Sequence, residues 1–245
     1  MGGRRAEERQ PGFRGRGCCR EEGGATAAAV VHVTSLWGLE RELRAQGLVH
    51  IAGVDEAGRG TLAGPVVAAA VMLPAGCRLP GLADSKRLTA RQRERLFEMI
   101  QRKALCLGVG AAEAEAVDQL NVLRATHLAM LQAISQLAPP PEMLLIDGRR
   151  LPGAPVSQRA LVGGDRLCGS IAAASIIAKV TRDRVMMEID ARYPGYGFAQ
   201  HKGYGTREHL CRLRELGPCP VHRVTFAPLR ALRQASLPLA GGDGP

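Results

Sequence analysis

Aromatic side chains are scarce: one Trp, three Tyr and four Phe make up 3% of the 245 residues. The core must therefore rest on Leu, Val, Ile and Ala. The seven cysteines (Cys18, Cys19, Cys77, Cys106, Cys168, Cys211 and Cys219) are odd in number and scattered, with no Cys-x-x-Cys pair. That pattern supports neither a zinc site nor a disulfide framework, and reduced thiols in a cytosolic protein is the plain reading. No apolar run approaches the roughly 18 residues needed to span a membrane. The basic N-terminus lacks the contiguous apolar core of a signal peptide. The expectation is a soluble, cytoplasmic protein with no membrane partner, and no internal repeat is present.

What remains is ordinary for a globular chain, with 46% hydrophobic and 23% charged residues. The formal net charge of +10 suggests a polyanionic partner, nucleic acid first, although an Arg-rich composition bias would give the same surplus. Residues 1–34 are rich in Gly, Arg and Glu without apolar periodicity, and read as a disordered basic extension. The folded domain is expected over residues 35–232, followed by a flexible tail at 233–245.

Within that domain Ser35 is expected to cap a first helix carrying Leu36, Leu39 and Leu43, with Gly47 as its stop. Val49 to Val54 reads as a short buried strand running into Asp55-Glu56-Ala57-Gly58-Arg59-Gly60. Strand side chains alternate between faces, so Asp55 and Glu56 share a site only if the strand ends there and the chain turns. Gly58 and Gly60 are the residues to make that turn. Val66 to Leu73 suggests a second strand, antiparallel to the first. Thr89 to Gln92 is a capping box opening a helix with Leu96, Phe97 and Ile100 on its buried face. A third strand is expected over Ala104 to Gly110, then one helical region from Ala112 to Leu137 with Val117, Leu120, Leu128, Leu131 and Ile134 as its stripe. Glu142 to Ile146 repeats the opening design, an apolar strand closed by an acid, Asp147. An edge strand over Val156 to Val162 leads to Asp165, and a long helix follows from Ser170 to Ala191. A loop rich in Gly and aromatics ends at Tyr204, and Thr206 caps a further helix.

Acids thus stand at three strand ends or helix entries: Asp55 with Glu56, Asp147, and Asp165. Loops converge at the carboxyl ends of strands in α/β sheets, and crowded carboxylates must protonate or bind a cation. Oxygen ligands select Mg²⁺ or Mn²⁺, and two such ions about 3.5–4 Å apart can drive phosphodiester hydrolysis. Taken singly, each acid reads better as a cap or a solvated residue. Lys86, Lys179, Arg182 and Lys202 are expected to contact phosphates or line the groove, offsetting the repulsion between acids and backbone; otherwise they are solvated charges.

Taken together the motifs resemble the ribonuclease HII family, the bacterial type 2 ribonucleases H. The resemblance is carried by Gly53 to Gly60 and Leu62 to Val67, by Asp84-Ser85-Lys86, and by Ile146-Asp147-Gly148. Gly164-Asp165, Ala172 to Asp183, Gly197-Phe198 and His201-Lys202-Gly203-Tyr204 complete it. It implies a ribonuclease H-like α/β fold, a mixed central sheet flanked by helices with a C-terminal helical region. It also implies a monomeric, divalent-metal endonuclease acting on RNA–DNA hybrids and on duplex DNA with embedded ribonucleotides. By the same resemblance Asp55, Glu56 and Asp147 are metal-binding acids and Asp165 is the fourth active-site acid. Gly58, Arg59 and Gly60 match the segment that reads the RNA–DNA junction, and Tyr204 the tyrosine packing on the adjoining sugar. Gly-Arg-Gly, where the sister ribonuclease HIII typically has Gly-Lys-Gly, favours the HII branch. The sequence departs from the family at Arg149, where Asn is frequent, and at Gly164, where Lys is usual. A hybrid-binding protein without catalysis and a DNA-junction resolvase on the same fold are the competing readings.

Overall fold

The computed structural model describes residues 36–82 and 88–235, with side chains described as far as residue 231. The extension expected over 1–34, the Ser35 cap, and Asp84-Ser85-Lys86 with the phosphate contact expected of Lys86 lie outside the described residues. Helix α1 (Gly38–Ala45) leads into the central strand β1 (Ile51–Ala57). β2 (Val66–Met72) returns antiparallel beside it, and after helix α2 (Ala90–Lys103) β3 (Cys106–Ala112) adds antiparallel to β2. Helices α3 (Ala114–Leu120) and α4 (Val122–Ser135) carry the chain to β4 (Met143–Asp147), parallel to β1 on its other side. β5 (Ser157–Leu161) pairs parallel with β4 as an edge strand, giving five strands in the order β3-β2-β1-β4-β5. A 3₁₀ turn (Gly164–Arg166) precedes the long helix α5 (Gly169–Arg192), and three shorter helices follow: α6 (Phe198–His201), α7 (Arg207–Leu216) and α8 (Ala227–Ala235). The mixed sheet with helices on both faces agrees with the expected fold class. Among the described residues no helix is long and apolar enough to cross a membrane.

Small residues do the work that rings do elsewhere. Strand alternation sends Val66, Ala68 and Ala70 of β2 into a core shared with α4, and Ala69 and Val71 into one shared with α2 and α5. Helices lie almost on the sheet backbone. A Cβ at Gly53 of β1 would fall 2.1 Å from the Ser170 carbonyl carbon, and one at Gly110 of β3 would fall 2.1 Å from the Ala129 oxygen. The helical region expected across 112–137 forms, but as two helices. Asn121 takes a left-handed φ of 67° and divides that region, its side chain capping α4 through the amides of Leu123 and Arg124. Leu120 and Leu128 are exposed, while Ala125, Ala129, Met130, Ala133 and Ile134 form the buried face, with Ala129 and Ala133 set against the glycines of β3, where a larger side chain has no room. The capping box of α2 forms as expected, Thr89 Oγ1 accepting the Gln92 amide and Gln92 Oε1 accepting the Thr89 amide.

β1 also runs further than expected. It does not end at Val54 but stays paired through Glu56 opposite Ala68 and Ala57 opposite Val67. On its other side β4 stops sooner: its register with β1 ends at Val54 opposite Ile146. The sheet is therefore stepped, and the acids sit on the step.

Candidate active site

The parallel register makes Asp55 and Asp147 the next residues after a paired position on neighbouring strands. Asp55 points to the α5 face, where it is 5% exposed and takes a hydrogen bond from the Ser175 side chain. Glu56 points to the α4 face. The turn expected at Gly58 to Gly60 is there, but the strand stays paired through both acids before it, so it is the early end of β4 that leaves the space in which both reach one cavity. That cavity, about 180 Å³, is lined by Asp55, Glu56, Gly58, Asp147, Ser175, Lys179 and Tyr204, with Arg93 from α2. A second, of about 380 Å³, has Glu56 and Asp147 on one wall and Arg59, His127 and Arg149 around them. Arg149, the departure from the family pattern, thus puts a cation beside the acids.

Asp55 is the electrostatic centre. Burial, then the charges of Glu56 and Asp147, push its carboxyl well above the ordinary carboxylate range, against the Glu56 amide (2.7 Å from Oδ1) and Ser175. Arg59 Nη1 lies 3.0 Å from Glu56 Oε1 and answers part of that charge. Asp147 Oδ1 accepts the Gly164 amide at 2.7 Å, which fastens the 3₁₀ turn to the end of β4. Asp165, next along that turn, is buried and 4.0 Å from Arg166 Nε; it does not line either cavity. Among the described residues no group of three or more His, Cys, Asp or Glu side chains forms a ready metal cage. An all-oxygen donor set with surplus negative charge nevertheless fits a hard divalent ion that keeps much of its water.

The cationic candidates divide. Lys179 lines the smaller cavity while pairing with Asp183 at 2.6 Å. Lys202 lies outside it, its Nζ donating to the Ala199 carbonyl at 2.7 Å. Arg182 corrects the expectation of a phosphate contact: it is 1% exposed, and its guanidinium is committed to protein oxygens. Tyr204 is 47% exposed at the cavity rim. Only Gly58 of the two motif glycines has a left-handed φ, at 94°. A Cβ there would fall 2.0 Å from Arg182 Nε, whereas one at Gly60 would meet open space.

Sequence reasoning missed Ser175, whose signal was a lone hydroxyl in the apolar run Ala172 to Ala178. It also missed a chain of buried histidines beneath Tyr204. His209 Nδ1 faces the Tyr204 carbonyl at 2.9 Å and so must donate; its Nε2 then accepts from His222 Nε2 at 3.1 Å. His222 Nδ1 lies 3.0 Å from the Cys219 amide and 3.2 Å from the Cys219 carbonyl; accepting the amide, the shorter contact, leaves both rings neutral. Burial, followed by His209, holds His222 down at about 4, and burial lowers His209 as well. A depressed histidine leaves the unfolded chain binding more protons below its ordinary value of 6.5. Stability is then fully present above about pH 6.5 and lost as pH falls towards about 4, by up to roughly 3 kcal/mol for His222. Urea unfolding of wild type and His222→Gln at pH 7 and 4.5 checks this: the acid loss should shrink in the variant, and an equal loss in both would remove His222 as its source.

Residues 52–229 match the family model described as Ribonuclease HII. Ribonuclease HII of Geobacter metallireducens is 56% identical over 192 residues, which cover 78% of this chain and 90% of the relative. Ribonuclease HII of Geobacillus kaustophilus is 55% identical over 197 residues, covering 80% and 75% respectively. The crystal structure of ribonuclease H2 from Pyrococcus horikoshii is similar at a TM-score of 0.64 and 26% identity, over 76% of this chain and 97% of that one.

Proposed function

The chain belongs to the ribonuclease HII family, and from that premise we propose that Asp55, Glu56 and Asp147 hold the divalent cation with which it cuts ribonucleotide-containing duplexes. The protein is an endonuclease of the ribonuclease H type, a phosphodiester hydrolase. The observation that carries the site reading is the stepped sheet edge, which brings three carboxylates from two strands into one cavity with Lys179 and Tyr204. Bound Mg²⁺ or Mn²⁺ would polarise the phosphate and lower the pKa of water, giving 3′-hydroxyl and 5′-phosphate ends. The protein's own groups do the rest. Ser175 and the Glu56 amide orient Asp55, and the Gly164 amide orients Asp147. Asp165 is read as the fourth acid, acting from the turn that this amide fastens. One chain supplies the whole constellation, so a monomer suffices, with the catalytic domain over residues 35–232.

Substrate choice rests on the loop after β1. The amides of Arg59 and Gly60 carry no hydrogen bond among the described residues, and Gly60 has no Cβ to cover them. A ribose 2′-hydroxyl, which both donates and accepts, is the group such a loop distinguishes. Tyr204 offers a flat face for the neighbouring sugar. On this reading a DNA duplex with one ribonucleotide is cut on the 5′ side of that ribonucleotide, and EDTA stops the reaction. Tyr204→Ala should lose about tenfold or more there and less on a long hybrid, read as kcat/KM on the two substrates. Cutting that survives EDTA, or equal cutting of all-DNA duplex, would return the competing readings.

A further inference from the structure

Behind the loop from Gly58 to Pro65 lie two arginines from distant parts of the chain, Arg182 of α5 at 1% exposure and Arg223 at 0%. Arg182 donates from Nε to the Pro65 carbonyl (2.9 Å), from Nη2 to Thr61 Oγ1 (2.9 Å) and the Ala63 carbonyl (3.1 Å), and from Nη1 to the Lys202 carbonyl (2.9 Å). Arg223 donates from Nε and Nη2 to the Gly64 carbonyl (3.1 and 2.8 Å) and from Nη1 to the Arg59 carbonyl (2.9 Å). Neither makes an ion pair among the described residues. Burial lowers both, Arg223 to about 10, so each remains charged at neutral pH. A buried charge without a counter-ion needs every donor satisfied, and here almost all the acceptors are backbone. Carbonyl acceptors fix backbone orientation rather than balance charge.

The consequence follows from the planar trans peptide, in which the carbonyl of one residue and the amide of the next point in opposite directions. Arg223 pulls the Arg59 carbonyl inward, which turns the Gly60 amide away from the protein. Thr61 Oγ1 lies 3.0 Å from the Gly58 carbonyl and 3.1 Å from that of Ala63. Arg182 already serves Ala63 and donates to the same Oγ1, leaving the hydroxyl hydrogen for Gly58. That bond turns the Arg59 amide outward. Both amides carry no hydrogen bond among the described residues. Arg182 also ties this loop to Lys202, two residues before Tyr204.

We propose that Arg182 and Arg223 are positioning residues for ribonucleotide recognition: they hold the Gly58 and Arg59 carbonyls inward, Arg182 through Thr61, so that the Arg59 and Gly60 amides face the sugar. This rests on the substrate reading above. The acids on β1 and β4 bind the cation independently of it. Arg223→Lys keeps the charge but cannot span the Arg59 and Gly64 carbonyls together, and Thr61→Val removes the hydroxyl at nearly constant shape. The measurement is fluorescence anisotropy in EDTA with two labelled duplexes, one all-DNA and one carrying a single ribonucleotide. A second readout is the rise in Tm on adding Mn²⁺. Wild type should prefer the ribonucleotide duplex, and no preference would sink the underlying substrate reading. Each variant should lose about tenfold of that preference, the effect of one hydrogen bond, while keeping the Mn²⁺ shift. A folded variant with wild-type preference, or one that loses the Mn²⁺ shift as well, overturns the proposal. So does failure of both variants to fold, which would make these groups part of the general core.

Discussion

Asp55→Asn is expected to lower kcat by on the order of 10³-fold or more, while making the metal-free protein more stable at neutral pH. Both effects come from one carboxyl. Burial, Glu56 and Asp147 raise the Asp55 pKa in the folded state, so between the ordinary carboxylate value and the raised one the native state binds more protons than the unfolded chain. Stability is therefore present below the ordinary value and is lost as pH rises through the raised one. At pH 7 the metal-free enzyme carries that loss as the burial of a charged carboxylate and its repulsion by Glu56 and Asp147. Asparagine keeps the shape and an acceptor for the Glu56 amide but removes the charge. Thermal unfolding in EDTA should show Asp55→Asn above wild type at pH 7 and level with it near pH 4. Added Mn²⁺ should raise the Tm of wild type far more than that of the variant. Near-wild-type turnover at saturating Mg²⁺ would end the assignment of Asp55, and a variant less stable than wild type in EDTA would end the account of its charge.

The two motif glycines should fail in different ways. Gly58→Ala forces a side chain into a left-handed φ and drives its Cβ to 2.0 Å from the buried Arg182 guanidinium. A loss of about 3 kcal/mol or more is expected, since strain and displacement of a buried charge add. Gly60→Ala meets no protein atom within 4 Å. Its stability should stay within about 0.5 kcal/mol of wild type, while kcat/KM on the single-ribonucleotide duplex falls by on the order of 10²-fold, because the methyl occupies the substrate's approach. Urea unfolding and steady-state kinetics on the same two proteins separate these outcomes. A stable, inactive Gly58→Ala or an unfolded Gly60→Ala would reverse the roles the structure gives them.

The sequence alone carried the order of strands and helices and the acids at strand ends, because apolar runs, caps and the acid that follows a strand are local signals; the mixed sheet was expected only from the family resemblance. The β4 design of Ile146-Asp147 repeating Val54-Asp55 was legible for that reason, and so was the capping box of α2. What joined the acids was not legible. Alternation put Asp55 and Glu56 on opposite faces, and the expected remedy was a strand ending at Val54 with a turn made by Gly58 and Gly60. The fold instead keeps β1 paired to Ala57 and stops β4 at Asp147, a difference in strand length that no residue in β1 announces. Arg182 shows the same limit from the other side. A cation on a helix near a nuclease motif reads as a phosphate contact, yet its neighbours are carbonyls of residues 63, 65 and 202, brought to it only by tertiary packing. Local chemistry is written in the order of residues; which backbone atoms surround a buried charge depends on segments far apart in the chain, and the packing of β1, α5 and the residues around Arg223 decides it.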